Sequence, residues 1–344
     1  MRTQTAPHDS LPKKAAMPVA PVSLGDYAYR AIRKHFQKSI KHKAGVLEDH
    51  DPEQLHQMRV GMRRLRTALQ VFEAAVELPD AASSRRIAKL AKRLGQVRDL
   101  DVMQMWLQKY LEATVLNPDE SQQLQQVLDY LQTQRRSQFD HMQKLLNSKQ
   151  YHQFESAFES WLAHPRYHTL AQLPIVTVIP DLLLPLISEL LLHPGWLVAI
   201  AGEAQHLSPI PNMSIEELGP YLDELGSDLH DLRKQIKRVR YQTEFFVDFY
   251  SRAYQKQTEE FRFLQDLLGE LQDSVVLSQF LVQALGKHWP DKIPSLDTYF
   301  QQERLRLWQQ WQTLQQKYLN PDFRRLLHRR FLAPQPELGK VTAN

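Results

Sequence analysis

An all-α protein in two helical halves is what the 344 residues predict, and three observations carry that expectation. The first is composition. Only 11 glycines interrupt long stretches rich in Leu, Gln, Arg, Ala and Glu, good helix formers with few β-branched alternations to compete. The second is periodicity, with apolar residues recurring at helical spacing. The third is an internal repeat. The segment HQMRVGMRRLRTALQVF from His56 aligns with HDLRKQIKRVRYQTEFF from His230, and LGQVRDLDV from Leu94 with LGELQDSVV from Leu268, both at an offset of 174 residues. In each copy the histidine precedes a glycine by 39 residues and an aspartate (Asp99, Asp273) by 43. Two separate motifs keeping one spacing distinguish this from a chance likeness between two Arg-rich helices.

The elements follow in order. A Pro/Ala-rich flexible tail is expected over 1–22, then a first helical half over 23–163, a linker over 164–174, a second half over 175–332 and a tail over 333–344. Ala28, Ile32, Phe36 and Ile40 predict a first helix over about 24–47. Pro52 suits the first turn of a second, which runs to about Val76 ahead of Pro79. A third is expected to end at Gly95, with Asp99 or Asp101 capping a fourth that stops before Asn117-Pro118. Amphipathic helices follow over about 119–147 and 149–163. The second half repeats the plan: Gly269 stops a helix, Asp273 starts the next, and Pro294 and Pro321 mark later breaks. The proline-rich stretch from His193 to Pro211 supports no assignment.

Composition also narrows the function. With no cysteine, disulfide frameworks, zinc knuckles and thiol catalysis are excluded. No charged-then-apolar leader is seen, and a cytoplasmic protein is expected. The apolar stretch from Leu173 to Ala201 carries Pro174, Pro180, Pro185 and Pro194 with Asp181 and Glu189, so a buried helix with its connectors is expected rather than a membrane span. Net charge is only +4, so an anion site must come from segregated charge.

The repeated helix segregates it. At 100° per residue, Leu55, Met58, Met62, Leu65, Leu69 and Phe72 fill an arc of about 100°, wide enough to bury one face. Arg59, Arg63, Arg64 and Arg66 lie on the other side around His56, with no acid between His56 and Arg66. The second copy sets Arg233, Lys237, Arg238 and Arg240 around His230, against Leu229, Leu232, Ile236, Val239 and Phe246, with Asp231 the one acid among them. A solvated face is the plain alternative. Such faces usually mix signs, because like charges three or four residues apart repel. An unmixed stripe present twice points to an anion that relieves the repulsion, and arginine suits forked hydrogen bonds to phosphate. Each histidine can add one hydrogen bond. Asp99 and Asp273 either cap helices or orient a neighbouring arginine. Basic residues of the first helix (Arg30, Arg33, Lys34, Lys38, Lys41) and third (Lys89, Lys92, Arg93) could join the same site.

The string from His56 to Arg66 followed by Leu94-Gly-Gln-Val-Arg-Asp-Leu-Asp-Val resembles the CHAD family, the conserved histidine α-helical domain, and the copy from His230 with LGELQD resembles that family's second half. The resemblance spans 23–332. It implies two four-helix-bundle halves related by a pseudo-twofold, with basic helices facing a shared surface that binds inorganic polyphosphate, and association with polyphosphate granules. By position, His56, Arg59, Arg63, Arg64, Arg66, His230, Arg233, Lys237, Arg238 and Arg240 become the phosphate-contacting candidates. Gln272 replaces Arg98 in the second copy, which argues against a symmetric role there.

Three other functions compete. A polyphosphate-cleaving enzyme would need clustered carboxylates holding divalent metal; no Glu-x-Glu-x-Lys strand, glycine-rich phosphate loop or HExxH pair occurs, so neither catalysis nor a metal or other cofactor is expected. Nucleic acid would be served by the same phosphate contacts, but no aromatics suited to base stacking interleave with the arginines. An acidic protein partner fits the basic faces too. Non-catalytic polyphosphate binding is the expectation.

Overall fold

The computed structural model describes residues 22–202, 207–211 and 213–334. The tails expected over 1–22 and 333–344 lie outside these residues, apart from Val22, Ala333 and Pro334. The protein is all-α. Its helices are α1 (Leu24–Ile40), α2 (Lys43–Glu48), α3 (Pro52–Val71), α4 (Ser84–Ala113), α5 (Pro118–Leu146), α6 (Lys149–Ala163), α7 (Ile175–Leu191), α8 (Ile215–Thr243), α9 (Arg252–Leu285), α10 (Trp289–Lys292), α11 (Pro294–Leu319) and α12 (Pro321–Leu332). A two-residue antiparallel ladder pairs Ile200–Ala201 with Ser208–Pro209, inside the stretch the sequence left unassigned.

Local chemistry sets many of the helix starts. Asp51 caps α3 by accepting from the Glu53 amide, with Pro52 in the first turn. Asn117 caps α5 and Ser148 caps α6 in the same way. Ser214 and Glu217 cap α8 reciprocally.

Three expectations about helix ends are corrected. The helix expected over 24–47 breaks at Lys41-His42, where the His42 ring meets Gln54 at 2.9 Å and α2 turns onto the start of α3. The second helix ends at Val71 rather than Val76. Gly95 and Gly269 do not stop helices: α4 and α9 run straight through them, so Asp99 and Asp273 sit in helix interiors. A glycine in a helix interior costs about 1 kcal/mol relative to alanine. An arginine from another helix lies over each glycine, so the helix carries that cost where a larger side chain would meet the guanidinium.

Two hydrophobic cores hold the helices. The larger takes Met58, Met62 and Leu65 of α3, Leu232, Ile236 and Val239 of α8, and Trp308 and Trp311 of α11, among others. The smaller joins Leu107 and Tyr110 of α4 and Leu124 and Leu131 of α5 to Leu281 of α9, Trp289 of α10 and Phe300 of α11. Both cores mix residues from before and after 164–174. The Glu120 carboxylate on α5 accepts from the Ser295 amide at 2.8 Å and so satisfies a donor at the start of α11.

Ile175–Leu197 is long and apolar enough to cross a membrane by length and composition. Within it, α7 turns Ile175, Ile179, Leu183, Ile187 and Leu190 into the larger core, while Asp181 and Glu189 are exposed.

Candidate anion-binding site

The apolar arcs read from the sequence decide how α3 and α8 sit. Leu55, Met58, Met62, Leu65, Leu69 and Phe72 are buried, as are Leu229, Leu232, Ile236, Val239 and Phe246. With those faces committed to the core, the charged faces point elsewhere, and α3 and α8 also touch each other. Arg59, Arg63, Arg233 and Lys237 come together near this contact, close enough for the three guanidinium groups to act on the lysine's charge.

Aspartates on α4 and α9 brace the outer pair. Arg59 donates to Asp99 at 2.8 Å, and Arg233 lies 3.9 Å from Asp273. Both guanidinium groups rest against bare backbone. A β-carbon at position 95 would meet Arg59 Nε at 3.7 Å, and one at position 269 would meet the tip of Arg233 at 3.4 Å. The glycine and aspartate of each repeat are therefore two contacts for one arginine.

The inner pair has no such partner. Among the described residues, Arg63 and Lys237 have no carboxylate within ion-pairing distance. Arg63 instead stacks on the Tyr241 ring, 4.4 Å from its centroid. Burial pushes the Lys237 ammonium down to about 8, with help from Arg63, Arg233 and Arg59. Burial lowers Arg63 too, with Arg59, Arg64 and Arg240 adding to it. His56 is lowered by burial first and then by Arg98, Arg63 and Arg59. Asp273 is raised, by the surrounding protein first and by Asp99 next, yet its side chain is 70% exposed. The exposed surface shows that water reaches the carboxylate, while the protein mass around it reduces its solvation. Buried nitrogens Arg63 Nε, Arg233 Nε and His230 Nδ1 have no hydrogen-bond partner among the described groups.

The remaining candidates are placed differently. Arg64 is ion-paired with Glu244, which is 7% exposed and also accepts from Arg240 and Arg262, each at 3.0 Å. Arg64 and Arg240 flank Tyr241 as well, 5.2 and 5.1 Å from its centroid. Arg238 turns away to Glu189 on α7 at 2.8 Å. Arg66 is exposed. The stripe that looks unmixed in sequence thus acquires acids from other elements: Asp99, Asp273, Glu189 and Glu244. Of the residues suggested on α1, Lys34 and Lys38 act with Arg64 on the half-buried His35, whose pKa burial and these charges bring down to about 4.

Tyr241 and Glu244 escaped the sequence reading, although RYQTE follows the basic run directly. The available signal was their position, Tyr241 next to the last basic residue of α8 and Glu244 just past its end. No group of three or more His, Cys, Asp or Glu side chains that could hold a metal ion occurs among the described residues.

Fold and site together define an all-helical protein in which two basic helices, α3 and α8, gather cations at their contact. The chain belongs to the CHAD domain family, whose sequence model matches residues 30–282. Among solved structures, the crystal structure of the CHAD domain from the plant Ricinus communis superposes with a TM-score of 0.58 at 23% identity, covering 96% of this chain and 100% of that one. PptA from Streptomyces chartreusis gives a TM-score of 0.49 at 15% identity, covering 84% of this chain and 100% of its own. No curated protein matches the sequence.

Proposed function

We propose that the protein binds inorganic polyphosphate without turning it over, using Arg59, Arg63, Arg233 and Lys237 as the centre of the site. One observation carries this reading: cations from two helices converge, and the inner two, Arg63 and Lys237, lack any carboxylate within ion-pairing distance among the described residues. Holding such a group without an anion is unfavourable, and a phosphate chain lying between α3 and α8 relieves it. Arginine forks match phosphate oxygens bidentately, and Lys237 supplies a point charge. His56 and His230 flank the centre as further hydrogen-bond donors. Tyr241 is taken up as a platform for Arg63, Arg64 and Arg240 rather than left for base stacking, which favours phosphate alone over nucleic acid. A cytoplasmic location and association with polyphosphate granules accord with such a ligand.

Competition at equal phosphate concentration between long polyphosphate and single-stranded DNA for the full chain is the test, run across a salt series. Polyphosphate is expected to win, with affinity falling steeply with salt as counterions are released. Equal competition would replace the reading with general polyanion binding, and a flat salt profile would remove the electrostatic site altogether. Unchanged polyphosphate chain length after incubation with magnesium is the expected sign of binding without turnover; phosphate release proportional to protein would make it an enzyme.

A further inference from the structure

Eight cations make up the two stripes, and seven of them are arginines that stay charged at any physiological pH. The exception is Lys237, which stands where the first copy has Arg63. Its position is not peripheral. Arg59 and Arg63 face it from α3, Arg233 from its own helix α8, and Asp99 from α4; Asp273 on α9 in turn senses both Lys237 and Asp99. The other stripe-side lysine, Lys234, ion-pairs with Asp231 at 2.5 Å, whereas Lys237 has no such partner among the described residues.

This arrangement joins two properties that rarely coincide. A half-buried amine crowded by guanidinium groups loses its proton near neutrality, at about 8, and only the free amine is a nucleophile. The same guanidinium groups attract phosphate. A reagent that is both a phosphate and an acyl donor would be held beside the one stripe amine able to attack it.

We infer that Lys237 is a modification site of this protein, acylated by acyl phosphates that Arg59, Arg63 and Arg233 hold through their phosphate group. The free Nζ adds to the acyl carbonyl carbon, forming the C–N bond. The bond from that carbon to the bridging phosphate oxygen breaks, and inorganic phosphate leaves with its electron pair. The nitrogen loses one proton to solvent, which leaves a neutral amide. The modification removes a cation from the centre of the cluster and fills its space, so polyanion binding weakens. The inference shares with the proposed function the claim that these arginines hold phosphate, but it does not need a polymer.

At pH 8 the free-amine fraction of Lys237 exceeds that of an ordinary exposed lysine by roughly a hundredfold. The full-length protein is therefore incubated with acetyl phosphate at pH 8 and site occupancy followed by peptide mass spectrometry. Lys237 is expected to be acetylated at least tenfold faster than exposed Lys109, Lys144 and Lys256. Its rate should level off above about pH 8. Replacing the anionic donor with an uncharged active ester should shrink the advantage, and Arg59→Gln with Arg63→Gln should shrink it with acetyl phosphate. Labelling of Lys237 no faster than Lys109 or Lys256 in the folded protein overturns the inference. The two readings fail separately. Fast labelling that long polyphosphate does not block leaves the reactive lysine standing and counts against the polymer site. Tight polyphosphate binding without selective labelling does the reverse.

Discussion

Arg59 on α3 donates to Asp99 on α4 at 2.8 Å while lying across Gly95, one turn earlier on the same helix. Arg233 repeats the arrangement over Gly269, 3.9 Å from Asp273. Two motifs separated in sequence by about forty residues are therefore the two sides of one contact. That explains why their spacing is the same in both copies.

Position at the α3–α8 contact, rather than membership of a stripe, should decide each cation's effect on binding. Arg59→Gln with Arg63→Gln is expected to weaken long-polyphosphate binding by more than about tenfold, since two charge-assisted forks are lost. Arg238→Gln, whose partner is Glu189, and Arg66→Gln should change it by less than about threefold, because exposed charges away from the ligand are screened. Titration of each variant with polyphosphate by calorimetry measures both, and equal losses across all four positions would refute the central cluster.

Gly95 offers a test of how the guanidinium is seated. A methyl group at 95 meets Arg59 at ordinary contact distance, so Gly95→Ala should keep binding and raise stability by up to about 1 kcal/mol through helix propensity. Gly95→Leu should displace Arg59 and weaken binding severalfold while the helix persists by circular dichroism. Unimpaired binding in the leucine variant would show that the seat is dispensable.

Glu244 is the buried counter-charge that ties α3, α8 and α9 through Arg64, Arg240 and Arg262. Glu244→Ala strands the buried arginine charges and should cost about 3 kcal/mol in urea unfolding. Burial pushes the Glu244 carboxyl up, but Arg64, Arg262 and Arg240 outweigh it and hold it below its usual range. A depressed carboxyl contributes stability that is complete above its unfolded value of about 4.3 and is lost as pH falls through the folded value. Below about pH 4.3 the native protein should therefore lose stability more steeply than Glu244→Gln. Parallel curves for the two proteins would contradict the assignment.

His35 titrates in a separate window. Burial, then Arg64, Lys34 and Lys38, keep its ring neutral in the folded state down to about pH 4. Its stabilisation is fully present above about 6.5, the unfolded value, and is lost progressively as pH falls towards 4, by up to about 3 kcal/mol. His35→Phe keeps the edge-on contact with Phe245 and removes the titration, so its stability should change less between pH 6.5 and 4.5. Denaturant midpoints at several pH values decide it.

The sequence alone determined the all-α class, most helices and the buried faces of α3 and α8, because apolar periodicity and capping are local properties written in neighbouring residues. The start at Pro52 and the breaks at Pro118, Pro294 and Pro321 are of this kind, and so is the burial of Phe72 and Phe246. It also marked Arg59, Arg63, Arg233 and Lys237, but in company with Arg66 and Arg238, which the same helical wheel cannot separate from them. Tertiary structure decided the rest. Gly95 and Gly269 read as stops because an isolated helix gains nothing from a glycine; only an arginine arriving from another helix makes the bare backbone useful. Asp99, Glu189 and Glu244 pair with other cations and leave Arg63 and Lys237 without an ion-pair partner among the described residues. A charge's partners are set by which elements touch, and that depends on contacts between residues far apart in the chain, such as Arg64 with Glu244, which no local pattern encodes.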